Sequence, residues 1–171
     1  MAEPCEMTSE VLARTRAGPL EIAIVGAPLL CVEAGGTANL DPHRGEARVS
    51  NAGATPVDLL VNHGPDGAIQ SFRTTRVWQE DGTALSFPPP PLRAERIEVR
   101  RVTLAPGEGF ALTPWARHLG AIQRVVAEGG GAGDHLFGVE YRVALAIDGA
   151  NGPSPVEEHL QATVRARLTD G

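Results

Sequence analysis

With 171 residues, 42% of them hydrophobic, and a formal net charge of -6, the chain has the size and apolar content of one folded domain rather than of a disordered segment. Its 15 basic residues are all arginine and form no run, which argues against a phosphate-reading surface and removes lysine Schiff-base chemistry. No stretch reaches the roughly 18 apolar residues that a membrane-spanning helix needs.

Arginine without lysine, together with abundant Ala and Gly, reads as the codon usage of a GC-rich bacterial genome. The opening residues MAEPCEMTSEVLARTRAG lack the basic and apolar regions of a secretory signal. Residues 1–18 are therefore expected to be an N-terminal extension ahead of a single domain over 19–171. A cytoplasmic location is expected, or a secreted one if a leader precedes the chain. In the cytoplasm Cys5 and Cys31 are expected as two reduced thiols.

Apolar periodicity gives the elements in chain order. Leu20 to Val25 places Leu20, Ile22 and Ile24 on one face, and Ala27 to Glu33 resumes after a Gly-Ala-Pro break. Glu46 to Asn51 alternates Ala47 and Val49 with Arg48 and Ser50, and after a turn Thr55 to Asn62 offers Val57, Leu59 and Val61. Gln70 to Gln79 is strand-like and ends in a hairpin turn at Glu80 to Thr83. In Arg96 to Leu104 the apolar parity flips between Val99 and Val102, which predicts a β-bulge at Arg100-Arg101 on a sheet edge. Thr113 as cap, Pro114, and the helical spacing of Trp115, Leu119, Ile122, Val125 and Val126 predict a short helix over 114–128 that covers one open end. Alternation from Phe137 to Ile147 and from Leu160 to Leu168 predicts a long hairpin with one buried and one wet face, joined by a DGANGPSP loop. Together these predict an all-β fold of two packed antiparallel sheets with one short helix inserted.

The succession GEARVSNAGATPVDL, VWQEDGT, VTLAPGEGF and EYRVAL resembles that of bacterial immunoglobulin-like β-sandwich domains. Its layout is similar to that of the bacterial intracellular proteinase inhibitor family, from Gly45 to Ile147. The resemblance implies an immunoglobulin-like antiparallel β-sandwich that works by presenting loops or an edge. Protease inhibition is one such use, although no segment matches a reactive loop and no inhibitory residue is carried over.

Motifs for chemistry are sparse. The CxxC, HxH and HExxH spacings are missing, and the nearest metal set is Asp41, His43, His63 and Asp66 on two loops, which Asp134-His135 could join only through folding. Scattered surface histidines are the simpler reading, so no metal is expected. The apolar neighbours Leu29, Leu30 and Val32 predict an inert, buried Cys31 thiol, and Glu157-Glu158 beside Pro155 read as solvated loop acids. GGGAG follows the predicted helix instead of preceding one, the wrong polarity for a phosphate loop. No catalytic residue and no cofactor is expected. Pro88 to Arg93 satisfies PxxPxR spacing but reads better as a stiff crossing loop.

The expected function is that of a non-catalytic protein-interaction module, binding a protein partner through sandwich loops or an edge strand. Candidate contacts are Asn62, His63, Asp66, Pro88, Pro91 and Arg93, on loops 42–45, 62–67, 87–93 and 150–155; neither nucleic acid nor a membrane is an expected partner. The alternatives are a protease inhibitor, and a small metal-binding protein or enzyme using the His/Asp loops.

Overall fold

The computed structural model describes residues 5–33, 45–62, 71–87, 99–112, 118–129 and 133–169. These form β1 (Glu10–Ala17), β2 (Leu20–Gly26), β3 (Leu29–Glu33), β4 (Glu46–Asn51), β5 (Val57–Asn62), β6 (Phe72–Gln79), β7 (Val99–Leu104), β8 (Gly109–Leu112), α1 (His118–Gly129), β9 (Asp134–Gly149) and β10 (Gly152–Thr169). One sheet has the order β1-β2-β4-β8. The other has the order β3-β10-β9-β5-β7, with β6 pairing β9 beyond the end of β5. All pairs are antiparallel except β3 with β10, which is parallel.

The two sheets share one core. Leu20, Ile22 and Ile24 of β2 and Ala47 and Val49 of β4 join Leu59, Val61 and the odd residues Phe137 to Leu145 of β9. Each fully buried Leu or Ile contributes roughly 1.5–3 kcal/mol relative to exposure. Helix α1 buries Leu119, Ile122 and Val126 and packs on β3, β6 and β10. It thus lies against the inner face of the larger sheet, where β3 and β6 flank the β9–β10 pair. The predicted start of the helix, 114–117, lies outside the described residues.

The β9–β10 ladder is unbroken from Gly149↔Gly152 to Asp134↔Arg167. Its turn needs only Ala150 and Asn151, followed by Gly152 at φ 100°, the left-handed position that glycine fills without a Cβ clash. Most of the segment expected as a loop is therefore strand, including Pro153, Pro155 and the acids Glu157 and Glu158. The prolines fit because of direction. The Arg165 amide donates to the Pro28 carbonyl on the β3 side, so each odd residue of β10 back to Pro153 turns its nitrogen away from β9, where a missing N–H breaks no ladder bond.

Three other expectations are corrected. Residues 10–17 fall in the stretch expected to precede the sandwich, yet they form β1; a register shift between Val11 and Ala13 hides the alternation. Strand β7 holds one register with β5 from Val57↔Leu104 to Asn62↔Val99, so no bulge occurs at Arg100-Arg101 and Val99 is simply exposed. Finally, Cys5 and Cys31 form a disulfide. Leu30 and Val32 point into the core, and period two turns Cys31 outward on an edge strand, half-buried and within reach of the N-terminal segment.

Asn51 anchors the far end of the sandwich. It is buried; its side-chain amide donates to the carbonyls of Thr55 and Leu104 and its Oδ1 accepts from the Gly53 amide. Its backbone also pairs with Gly107 and Glu108. One side chain thus joins the β4–β5 connection to the β7–β8 turn.

Candidate functional site

The site is built by three adjacent strands of the larger sheet, β6, β9 and β10, whose outward residues fall in rows. Arg73, Arg142 and His159 form one row, Arg76, Glu140 and Gln161 the next, and Trp78, Gly138 and Thr163 the third. Period-two alternation puts Val139, Tyr141 and Val143 inward, which fixes these neighbours on the open face.

In the middle row Glu140 accepts from the Thr75 hydroxyl at 2.8 Å and from Gln161 Nε2 at 3.4 Å, and Arg76 Nη2 lies 3.5 Å away. The Thr75 hydrogen bond above all holds its carboxyl below the usual range. Glu157 Oε1 accepts from Arg142 Nε at 2.8 Å and sits 3.2 Å from His159 Nε2, and the Arg142 bond likewise depresses it. Arg73 stands opposite Arg142; burial first, then that like charge, hold the Arg73 guanidinium below its ordinary range. Carboxylates held ionised by cationic and hydroxyl donors make poor general acids near neutral pH.

The third row is different. The Trp78 indole covers Gly138 so closely that any Cβ at 138 would collide with the ring, and the Arg76 guanidinium lies 5.3 Å from the ring centroid. Beside it a trough of about 500 Å³ runs across Gly138 to β10, between Trp78, Glu80, Gln161, Thr163 and Leu12. It ends at the edge of β10, against which β1 packs, with Leu12 beside Gln161 and Thr163. β3 meets β10 only from Arg165 to Thr169, and among the described residues no strand pairs with Glu157–Thr163 on that side. The outward backbone groups of Glu157, His159, Gln161 and Thr163 thus have no ladder partner there.

Of the residues singled out from sequence, Asp41, His43, His63, Asp66, Pro88, Pro91 and Arg93 lie outside the described residues. Asn62 is described: its amide donates to the Ser71 hydroxyl and its carbonyl accepts from the Ser71 amide, a clasp at the base of segment 63–70. Asp134 is engaged by Arg165 and Arg167. Among the described residues, no group of three His, Cys, Asp or Glu is placed to hold a metal ion, and no helix is long and apolar enough to cross a membrane. His118 is buried against Tyr141 and Phe87.

Sequence reasoning passed over Trp78, Gly138, Gln161 and Thr163. A glycine on the wet parity of a long strand was the available signal, since it marks a close approach. Comparison with family models, curated proteins and solved structures finds no match to this chain.

Proposed function

We propose that this chain is a non-catalytic protein-interaction module that engages an extended segment of a protein partner through the edge of β10. The observation that carries this reading is the side of Glu157–Thr163 turned away from β9, which no strand among the described residues pairs, between Pro155 and the start of the β3 pairing and with β1 packed beside it. Such an edge offers main-chain hydrogen bonds to an added strand, with side-chain pockets beside it supplying selectivity. The carboxylates of the open face, held ionised by Thr75 at Glu140 and by Arg142 at Glu157, favour binding over acid–base chemistry. The immunoglobulin-like reading of the sandwich draws support from the strand order: β2, β4 and β8 share one sheet, and the last two strands, β10 and β9, join β5 in the other.

The experiment is a proline substitution. Gln161→Pro removes an outward N–H in the same row as the tolerated Pro153 and Pro155, so the fold should keep its circular dichroism and melting behaviour. Ala162→Pro removes a bond to β9 and should destabilise the chain. Affinity capture from extracts of the encoding organism should yield a partner with the parent chain and lose it with Gln161→Pro. A partner that still binds the folded Gln161→Pro chain would sink the edge reading.

A further inference from the structure

We infer that β8 is a self-association edge: two copies of the chain pair their β8 strands antiparallel about a two-fold axis through Phe110, joining their smaller sheets into one. This edge lies on the other sheet from β10, and neither reading depends on the other.

The direction of the β8 backbone follows from its neighbour. The Asn51 amide donates to the Glu108 carbonyl and the Asn51 carbonyl accepts from the Gly107 amide, whereas the Ala52 amide donates to Pro19 on the other side. Odd residues of β4 therefore aim their N–H and C=O groups at β8, and Phe110 and Leu112, opposite Val49 and Ala47, answer them. Gly109 and Ala111, opposite Ser50 and Arg48, turn theirs the other way. Both residues are exposed, and among the described residues no strand pairs β8 on that side. One two-fold register lets each of these outward groups meet another of them. Gly109 stands opposite the partner's Ala111, exchanging both hydrogen bonds. Phe110 then stands opposite the partner's Phe110 in a non-hydrogen-bonded pair, where side chains are closest.

The strand's make-up selects a second copy. Phe110 shares the inward side with the buried Val49, yet it stays half-buried at the rim of the core. A second Phe110 across the axis would cover it with a cross-strand aromatic pair. Gly109 to Leu112 carry no charge and no proline, the devices that keep an edge from pairing. The other strands that end the sheets are guarded. β1 packs against β10, and the Cys5–Cys31 bridge ties the N-terminal segment to β3. β7 sets the exposed Arg100 on the inward side, opposite Val61, a charge that resists an added strand. Because β8 has 4 residues, the shared area is small and the dimer is of the weak, concentration-dependent kind. The net charge of -6 opposes it at low ionic strength, so added salt should strengthen it.

The test is analytical ultracentrifugation of the full chain from micromolar to near-millimolar concentration. The parent chain should pass from monomer to dimer as its concentration rises. Ala111→Pro removes an outward N–H and no bond to β4, so it should keep its circular dichroism. Its dissociation constant should rise about tenfold or more, the scale of that bond lost twice across the axis. Should the proline unfold the chain, Ala111→Glu changes only an exposed side chain and sets two carboxylates diagonally across the axis, which should weaken the dimer in its place. Phe110→Cys adds a thiol to a chain whose own cysteines are bridged. Under mild oxidation it should cross-link to its counterpart far more readily than Ala111→Cys. A parent chain that stays monomeric throughout would overturn the inference, as would a dimer that survives in the folded Ala111 variants. A cross-link that forms faster through Ala111→Cys would overturn the axis through Phe110. A monomeric chain that captures a different protein from host extract, and loses it as Ala111→Pro, would assign the edge to that protein and overturn the inference too.

Discussion

The Trp78 indole is seated on Gly138, ring against bare backbone, so the open face of the larger sheet carries an aromatic platform only because its neighbour has no side chain. Gly138→Ala forces the ring off its seat. With Trp115→Phe as background, leaving Trp78 the sole indole, the emission of Gly138→Ala should shift to longer wavelength as the ring meets water. Stability should fall by about 1–3 kcal/mol, the usual size of an overpacked contact, read as the urea midpoint. An unchanged spectrum would show that the ring is not held there.

Asn51→Ala should be among the more damaging single changes. It strips the donor from the buried carbonyl of Leu104 and from the less buried one of Thr55, and the acceptor from the Gly53 amide. Groups left unsatisfied in this way cost about 1–3 kcal/mol each, so a loss of roughly 3 kcal/mol is expected by chemical denaturation. Asn51→Asp should not rescue it, because a carboxylate oxygen would face the Thr55 and Leu104 carbonyls where the amide donated.

Acid should weaken the fold before the carboxylates titrate. Burial pushes the His118 imidazole down from 6.5 to about 4, so the folded chain keeps it neutral where the unfolded chain binds a proton. Stability is then full above pH 6.5 and is lost as the pH falls toward 4, by up to about 3 kcal/mol. Glu140 and Glu157, held low by their partners, lose their contributions only at lower pH. Urea titrations between pH 7 and pH 4.5 should show this slope, and His118→Phe should flatten it. A slope that persists in His118→Phe would place the effect elsewhere.

Removing the disulfide with Cys5→Ser and Cys31→Ser together should cost about 3.5 kcal/mol, the chain-entropy value for closing a span of 26 residues. The same drop should follow reduction of the parent chain, with melting temperature as the readout. A pair of curves that coincide would mean that the link constrains nothing in the unfolded chain.

Much of the architecture was legible because alternation survives wherever one face is wet. Odd residues from Phe137 and even residues from Leu160 mark β9 and β10 without ambiguity. Where structure and expectation part, composition and period point in different directions. Pro153 and Pro155 look like a loop until the direction of their nitrogens is known, and that depends on the Arg165 bond to β3. Cys31 looks buried among Leu29, Leu30 and Val32, although parity turns it outward. The candidate site was harder still. Trp78, Gly138 and Thr163 are far apart in sequence, and only the register of β6 and β10 on β9 sets them in one row.

The link between Cys5 and Cys31 also decides how the molecule carries load. Tension entering upstream of Cys5 and leaving downstream of Thr169 crosses the disulfide directly to β3, bypassing β1 and β2. It then passes through the parallel pairing of Leu29–Glu33 with Arg165–Thr169. Under oxidising conditions the first hairpin is mechanically silent and the β3–β10 clamp bears the force. Under reducing conditions β1 and β2 join the path, so the redox state of two residues sets which part of the sandwich yields first.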